Sequence, residues 1–311
     1  MQATDFWLYM ISWAFLDAGD ITPSSIVWEH IPDHLIHANT QSSAITHTTR
    51  ANLGYDMRAD GDVVKHIKTQ SHTILILDTL TTESIATLVA AISELDPQAH
   101  RVTICNIGSG VTGVINKHTL DSHDIEHMLP YMRVVEPCDV MHLHHVLKDP
   151  LQWPHTYMRI PRDELPEMLF GEGSEPLYAY PQISLQPFGY TGNSGTILTN
   201  GALLPYVSHA LQHMHTETDK RFDLFVVTDY TASATKDLQE SIEQTGHVII
   251  IHDAADIQGL TTWRSALAIP GSRATHIKLP TYQKLTTFLP AYMYDAAGMW
   301  QETLVEYLQS I

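Results

Sequence analysis

Cysteine is nearly absent from this chain: Cys105 and Cys138 are the only two among 311 residues. One distant pair builds no disulfide framework and fits no metal-binding spacing, so a reducing setting is the simpler reading. Positive charge is scarce too. Lys and Arg number 17 against 35 Asp and Glu, a formal charge of −18, which repels nucleic acid and anionic lipid at long range. No apolar run reaches the ~18 residues that a membrane span needs. The first fifteen residues lack a basic stretch and Asp5 interrupts their apolar run, so they read as an amphipathic or buried helix and not as a signal peptide. The expected location is intracellular, cytoplasmic or in an organelle matrix. Charged residues make up only 17% against 44% hydrophobic, which excludes a disordered chain. The length suffices for two domains with cores of their own.

Histidine is abundant, with 20 residues. The group His142-Leu143-His144-His145 invites a metal reading. It lacks the i, i+4 pairing of zinc-binding helices, and adjacent helical residues point to different faces.

Apolar patterning divides the chain into alternating elements. Residues 5–18 have a helical pattern, and residues 44–53, after a polar turn, are also read as helix. Thr73 to Leu77 is a continuous apolar run of the kind buried on both faces of a parallel sheet. Glu83 to Leu95 is a helix with Ile85, Leu88, Val89 and Ile92 on one stripe, ended by Asp96-Pro97. Further strands are expected at Val102 to Ile107, Met132 to Val135 and Thr156 to Ile160. Gly108-Ser109-Gly110 after the first of these suits a tight turn or a phosphate cradle. Gly, Pro and Ser dominate 171–194, which reads as a linker. Beyond it come strands at Thr196 to Thr199, Leu224 to Val227 and His247 to His252. The helices there are Leu203 to Met214, Lys236 to Thr245 closed by Gly246, and about Asp295 to Leu308. This rhythm predicts an α/β fold: two consecutive α/β domains with mainly parallel sheets, residues 1–170 and 195–311.

Two stretches carry a resemblance. Val134-Val135-Glu136-Pro137-Cys138-Asp139 is a short strand running into Pro-x-Asp, and Tyr157-Met158-Arg159-Ile160-Pro161-Arg162 is a strand ending in two arginines. Later, Thr199-Asn200-Gly201, Asp229 to Ala232, Ser241-Ile242-Glu243-Gln244-Thr245-Gly246 and Ile250-Ile251-His252-Asp253 follow in order. This succession resembles the second half of the transketolase family, its pyrimidine-binding domain followed by its C-terminal domain. A split-transketolase C-terminal subunit or a 2-oxo acid dehydrogenase beta subunit has the same make-up. The first half of that family holds the diphosphate and magnesium, and its Gly-Asp-Gly…Asn motif is missing here; Asp60-Gly61-Asp62 lacks the following Asn. The resemblance therefore implies thiamine diphosphate and magnesium bound only with a partner, a diphosphate-binding (alpha-type) subunit. It also implies self-association through the C-terminal domain.

The resemblance further implies site residues. Gln41 falls where the family's cofactor-activating glutamate is expected, and an amide cannot exchange a proton as a carboxylate does. Leu80 falls where an aromatic ring stacks on the cofactor pyrimidine. His118 is the counterpart of the substrate-facing catalytic histidine, or a solvated loop histidine. Arg162 suits a sugar phosphate, or an ion pair to Asp163 or Glu164. Three readings follow: a component of a thiamine diphosphate-dependent transferase or dehydrogenase, a catalytically degenerate subunit with an assembly role, and an unrelated α/β binding protein.

Overall fold

The computed structural model describes residues 25–28, 47–50, 62–77, 82–107, 128, 130–138, 142–143, 155–160, 185–187, 192–231, 235–252, 267–277 and 301–311. The expected helix over 5–18 and the Gly108-Ser109-Gly110 turn lie outside them.

The first unit is built on β1 (Ser25–Trp28), β2 (His47–Arg50), β3 (His72–Leu77), β4 (Arg101–Ile107), β5 (Arg133–Val135) and β6 (His155–Ile160). Their order is β2-β1-β3-β4-β6-β5, and every neighbouring pair is parallel. A parallel sheet is covered on both faces, and the sequence answers that demand. All of β3 is buried, as is all of β4 apart from Arg101. The described helices of this unit are α1 (Asp62–Thr69) and α2 (Thr82–Ser93). On α2, Ile85, Leu88 and Ile92 are buried and Val89 packs beside them, which is the predicted stripe. Asp96 closes the turn beyond α2. Its carbonyl accepts from the Ala99 and His100 N–H groups and its carboxylate from the Gln98 N–H at 3.0 Å.

One expectation is corrected. Residues 44–53, read as helix, contain strand β2. His47-Thr48-Thr49-Arg50 pairs in parallel with β1, and the two β-branched threonines favour extended backbone once a partner strand is available.

The second unit comprises β7 (Leu185–Pro187), β8 (Gly195–Asn200), β9 (Phe222–Val227), β10 (His247–Ile251) and β11 (Arg273–Ile277), in the order β11-β10-β8-β9-β7. All pairs are parallel except β7 with β9. The stretch 171–194, read as a linker, thus contains an edge strand, where Pro187 is tolerated because one edge of β7 needs no ladder donor. A 3-10 turn, Gly201–Leu203, leads into α3 (Leu204–Glu217). α4 (Lys236–Thr245) starts at Thr235, whose hydroxyl accepts from the Leu238 N–H, and stops at Gly246 with φ 67°. α5 (Gln301–Ser310) lies against α3 through Leu304, Val305 and Leu308.

Residues alternate between two cores. Leu198, Phe225, Val227, Val248 and Ile250 face one apolar cluster; Ile197, Leu224, Val226, Ile249 and Ile251 face the other. The first cluster is continuous with the core of the first unit, through Val134, Tyr157 and Tyr230. Each fully buried Val, Leu or Ile contributes about 1.5–3 kcal/mol, so this shared core holds the two sheets to one another. Among the described residues, no helix is long and apolar enough to cross a membrane.

Ser241 and Thr245, one turn apart on α4, both reach Thr196 Oγ1 in β8, at 2.6 and 2.9 Å. Ser241 also donates to Asp223 in β9 at 2.5 Å. The Ser-x-x-x-Thr-Gly sequence therefore fastens a helix to its sheet and then ends it.

Candidate functional site

The carboxyl end of β5 is where the sequence motifs meet. Beyond Val135 the chain continues as Glu136-Pro137-Cys138, all buried. β5 has β6 on one side. Its other edge is met by the segment after β9: Val135 and Asp229 form an antiparallel bridge, Glu136 N–H donates to the Thr228 carbonyl at 2.8 Å, and Tyr230 N–H donates to the Val134 carbonyl at 2.9 Å.

The Glu136 carboxylate is surrounded by donors. Oε2 accepts from an Arg159 Nη and from the Tyr230 hydroxyl, the latter at 2.9 Å. Oε1 accepts from Asn200 Nδ2 at 2.5 Å and from the Ala202 N–H at 2.8 Å. Four donors match the acceptor capacity of one carboxylate. The site is buried, with Glu136 1% and Arg159 0% exposed. Arg159 also donates to the Tyr230 hydroxyl at 2.9 Å and lies 5.5 Å from the centre of that ring. A second buried ion pair flanks the first: Arg133 Nε is 2.8 Å from Asp229 Oδ2. Asp229 also accepts from the N–H and hydroxyl of Thr231, which orders the turn carrying Tyr230.

Gly201 permits this approach. A Cβ there would overlap the Glu136 carbonyl oxygen and crowd the Cys138 nitrogen, so any other residue pushes the two segments apart. On the same segment, His142 Nδ1 accepts from the Cys138 N–H at 3.2 Å and sits 3.5 Å from Cys138 Sγ. His142 thus holds the start of its own helical turn. Among the described residues, no three His, Cys, Asp or Glu side chains converge to hold a metal ion. Cys105 is a core residue, its thiol pushed up to about 12 by burial, far from a nucleophile's range.

Gln41, Leu80, His118 and Arg162, the residues to which the resemblance assigns the chemistry, all lie outside the described residues. What the structure brings together is the set of recognition marks: Glu136 of the Pro-x-Asp stretch, Arg159 of the two-arginine strand, Asn200-Gly201, and Asp229-Tyr230. Full burial against Glu136 removes Arg159 from any contact with an incoming phosphate. Sequence reading missed Tyr230 and Asn200 as partners of Glu136, which lie 94 and 64 positions away. The available signal was the ordered recurrence of the marks, each at the carboxyl end of a strand.

No protein-family model and no curated protein matches this sequence. Solved structures do. A split-gene transketolase, described as an inactive beta4 tetramer, is 14% identical, with a TM-score of 0.69 over 100% of this chain and 98% of that one. The transketolase from Leishmania mexicana is 10% identical, with a TM-score of 0.63 over 98% of this chain and 44% of that one. The transketolase from Campylobacter jejuni subsp. jejuni NCTC 11168 is 11% identical, with a TM-score of 0.57 over 77% of this chain and 35% of that one. The chain has the α/β fold of the carboxyl-terminal half of transketolase, and it spans less than half the length of the latter two proteins.

Proposed function

We propose that this chain, with its half-transketolase fold, is one subunit of a thiamine diphosphate-dependent enzyme of transketolase or 2-oxo acid dehydrogenase type. A separate diphosphate-binding subunit completes it. The observation that carries this reading is coverage: the fold match extends end to end over a split-gene transketolase chain and over only a fraction of two larger transketolases. In this reading the magnesium–diphosphate grip belongs to the partner chain. One described group suits the cofactor's other end. Asn106 Oδ1, at the carboxyl end of β4, is a buried acceptor with no hydrogen-bond partner among the described residues, and the carboxyl ends of parallel strands are where such sheets take ligands.

When bound, the cofactor would supply carbanion chemistry. In this reading Gln41 hydrogen-bonds the cofactor pyrimidine, Leu80 packs on its ring, His118 faces the substrate and Arg162 holds a phosphate. A guanidinium at that place favours a sugar phosphate over a plain 2-oxo acid. The protein is intracellular on this reading and self-associates through its second unit, in keeping with a neighbour described as a beta4 tetramer.

A second reading is favoured by one residue. With Gln41 in place of a proton-sharing glutamate, the chain is a degenerate subunit that keeps the fold for assembly. Calorimetric titration of thiamine diphosphate with Mg²⁺ separates the two. Saturable binding to the chain plus a diphosphate-binding subunit, and none to the chain alone, supports the enzyme reading. Binding to the isolated chain overturns the half-site idea, and no binding in any complex leaves the assembly role. In the assembled pair, Gln41→Glu is expected to raise turnover by roughly 100- to 10,000-fold, the usual worth of general acid–base help.

A further inference from the structure

Open α/β sheets take ligands outside the carboxyl ends of their strands, and anions favour the N–H groups at the start of a following helix. In the second unit that place is the end of β8, where Asn200 and Gly201–Leu203 lead into α3. It is already filled by the side chain of Glu136 from the first unit. Asn200 stands at the cap position of the 3-10 turn but makes no cap bond with its side chain; its amide points outward to Glu136 Oε1. No acidic residue occupies the first turn of α3, and the Ala202 N–H of the 3-10 turn that precedes it is met by a carboxylate from 66 positions earlier in the chain. Tyr230, beyond β9, supplies a third donor from the same unit. Gly201 lets the backbone of the incoming segment sit against the turn.

We propose that the second unit is built as a carboxylate receptor whose resident ligand is Glu136, and that this capture sets the register in which the two units dock on their shared apolar core. Three of the four donors belong to the receptor and one, Arg159, to the unit that presents the ligand. The receptor takes a planar, singly charged carboxylate: Oε1 is read by Asn200 and the Ala202 N–H, Oε2 by Tyr230 and Arg159. A small free carboxylate therefore occupies the same place once the Glu136 side chain is gone.

The test is chemical rescue. Glu136→Ala is titrated with sodium formate, with sodium chloride at equal ionic strength as the control, and the unfolding midpoint is followed. Formate is expected to raise the midpoint of Glu136→Ala saturably, chloride is not, and the wild-type midpoint stays put under both. Adding Asn200→Leu to Glu136→Ala is expected to abolish the rescue. Equal effects of formate and chloride, or rescue that survives Asn200→Leu, would overturn the proposal. Should Glu136→Ala be unfolded in chloride, it is refolded from urea in each salt. Recovery in formate alone supports the receptor, and equal recovery or none overturns it. In the wild-type chain the Ala202 amide is expected to exchange its hydrogen as slowly as the Leu198 amide in β8; exchange at the rate of exposed amides also counts against the idea.

Discussion

Tyr230 places its hydroxyl 2.9 Å from the Glu136 carboxylate, across the boundary between two sheets and 94 positions along the chain. Neither residue belongs to a strand. Each lies just past the end of one, and the backbone bonds between Glu136 and Thr228 and between Tyr230 and Val134 bring them together. Two-unit geometry is thus encoded in the loops that leave β5 and β9.

Removing one partner of the buried pair strands the other charge. Glu136→Gln and Arg159→Met are each expected to destabilise the chain by about 3–5 kcal/mol. The double variant should recover part of the loss, since no bare charge is left. Recovery stays incomplete because glutamine presents one acceptor oxygen where the carboxylate presented two, so Asn200, Ala202 and Tyr230 are not all served. Urea unfolding of the four proteins gives the coupling energy directly.

Two glycines test different things. Gly246 ends α4 in the left-handed region with open space where a Cβ would go, so Gly246→Ala carries only the backbone cost, about 1 kcal/mol. Gly201→Ala drives a Cβ into the Glu136 backbone and should cost more than Gly246→Ala. It should also speed hydrogen exchange at Glu136 and Tyr230, which the other change leaves alone. Thermal unfolding and amide exchange together distinguish them.

Acid should loosen the first unit before carboxylates titrate. Burial, helped by Arg101 nearby, lowers His72 to about 4, and burial, helped by His100, lowers His155 to about 4. An unfolded histidine titrates near ~6.5. Between these values the unfolded chain binds protons that the folded chain refuses, so stability falls as pH drops from about 6.5 towards 4. His155→Gln is expected to flatten that slope in a plot of unfolding midpoint against pH. A slope unchanged by the substitution would remove His155 from the account.

Ser241→Ala breaks the tie between α4 and its sheet. Asp223 then keeps the Gly192 N–H and loses its hydroxyl donor, while Thr196 retains Thr245. A cost of about 1–3 kcal/mol is expected from the lost hydrogen bonds, one of them to the half-buried Asp223 carboxylate, read from chemical unfolding.

Much of the fold was legible because burial on both faces writes itself into composition. β3, β4, β8, β9 and β10 are apolar runs, and α2 and α4 carry end signals in Asp96-Pro97 and Gly246. The strands that escaped notice lack that mark. β1 has four residues. Among the described residues β2 and β11 are the end strands of their sheets, and β11 carries Arg273 and His276 in place of an apolar run. β7, an edge strand carrying a proline, hides in a stretch rich in turn residues. For the site, sequence showed that Glu136, Arg159, Asn200 and Asp229 recur in a familiar order but not that they touch. Partners 64 to 94 positions apart are fixed by three-dimensional docking, which no local pattern records.

The bridge between Val135 and Asp229 has one more result. An exposed margin of a parallel sheet invites another chain to add a strand, the usual first step toward aggregates and swapped dimers. In this protein β5 is short, and its free margin is taken by a segment of its own polypeptide. Whatever oligomers it forms, strand addition beside β5 is not among the routes open to it.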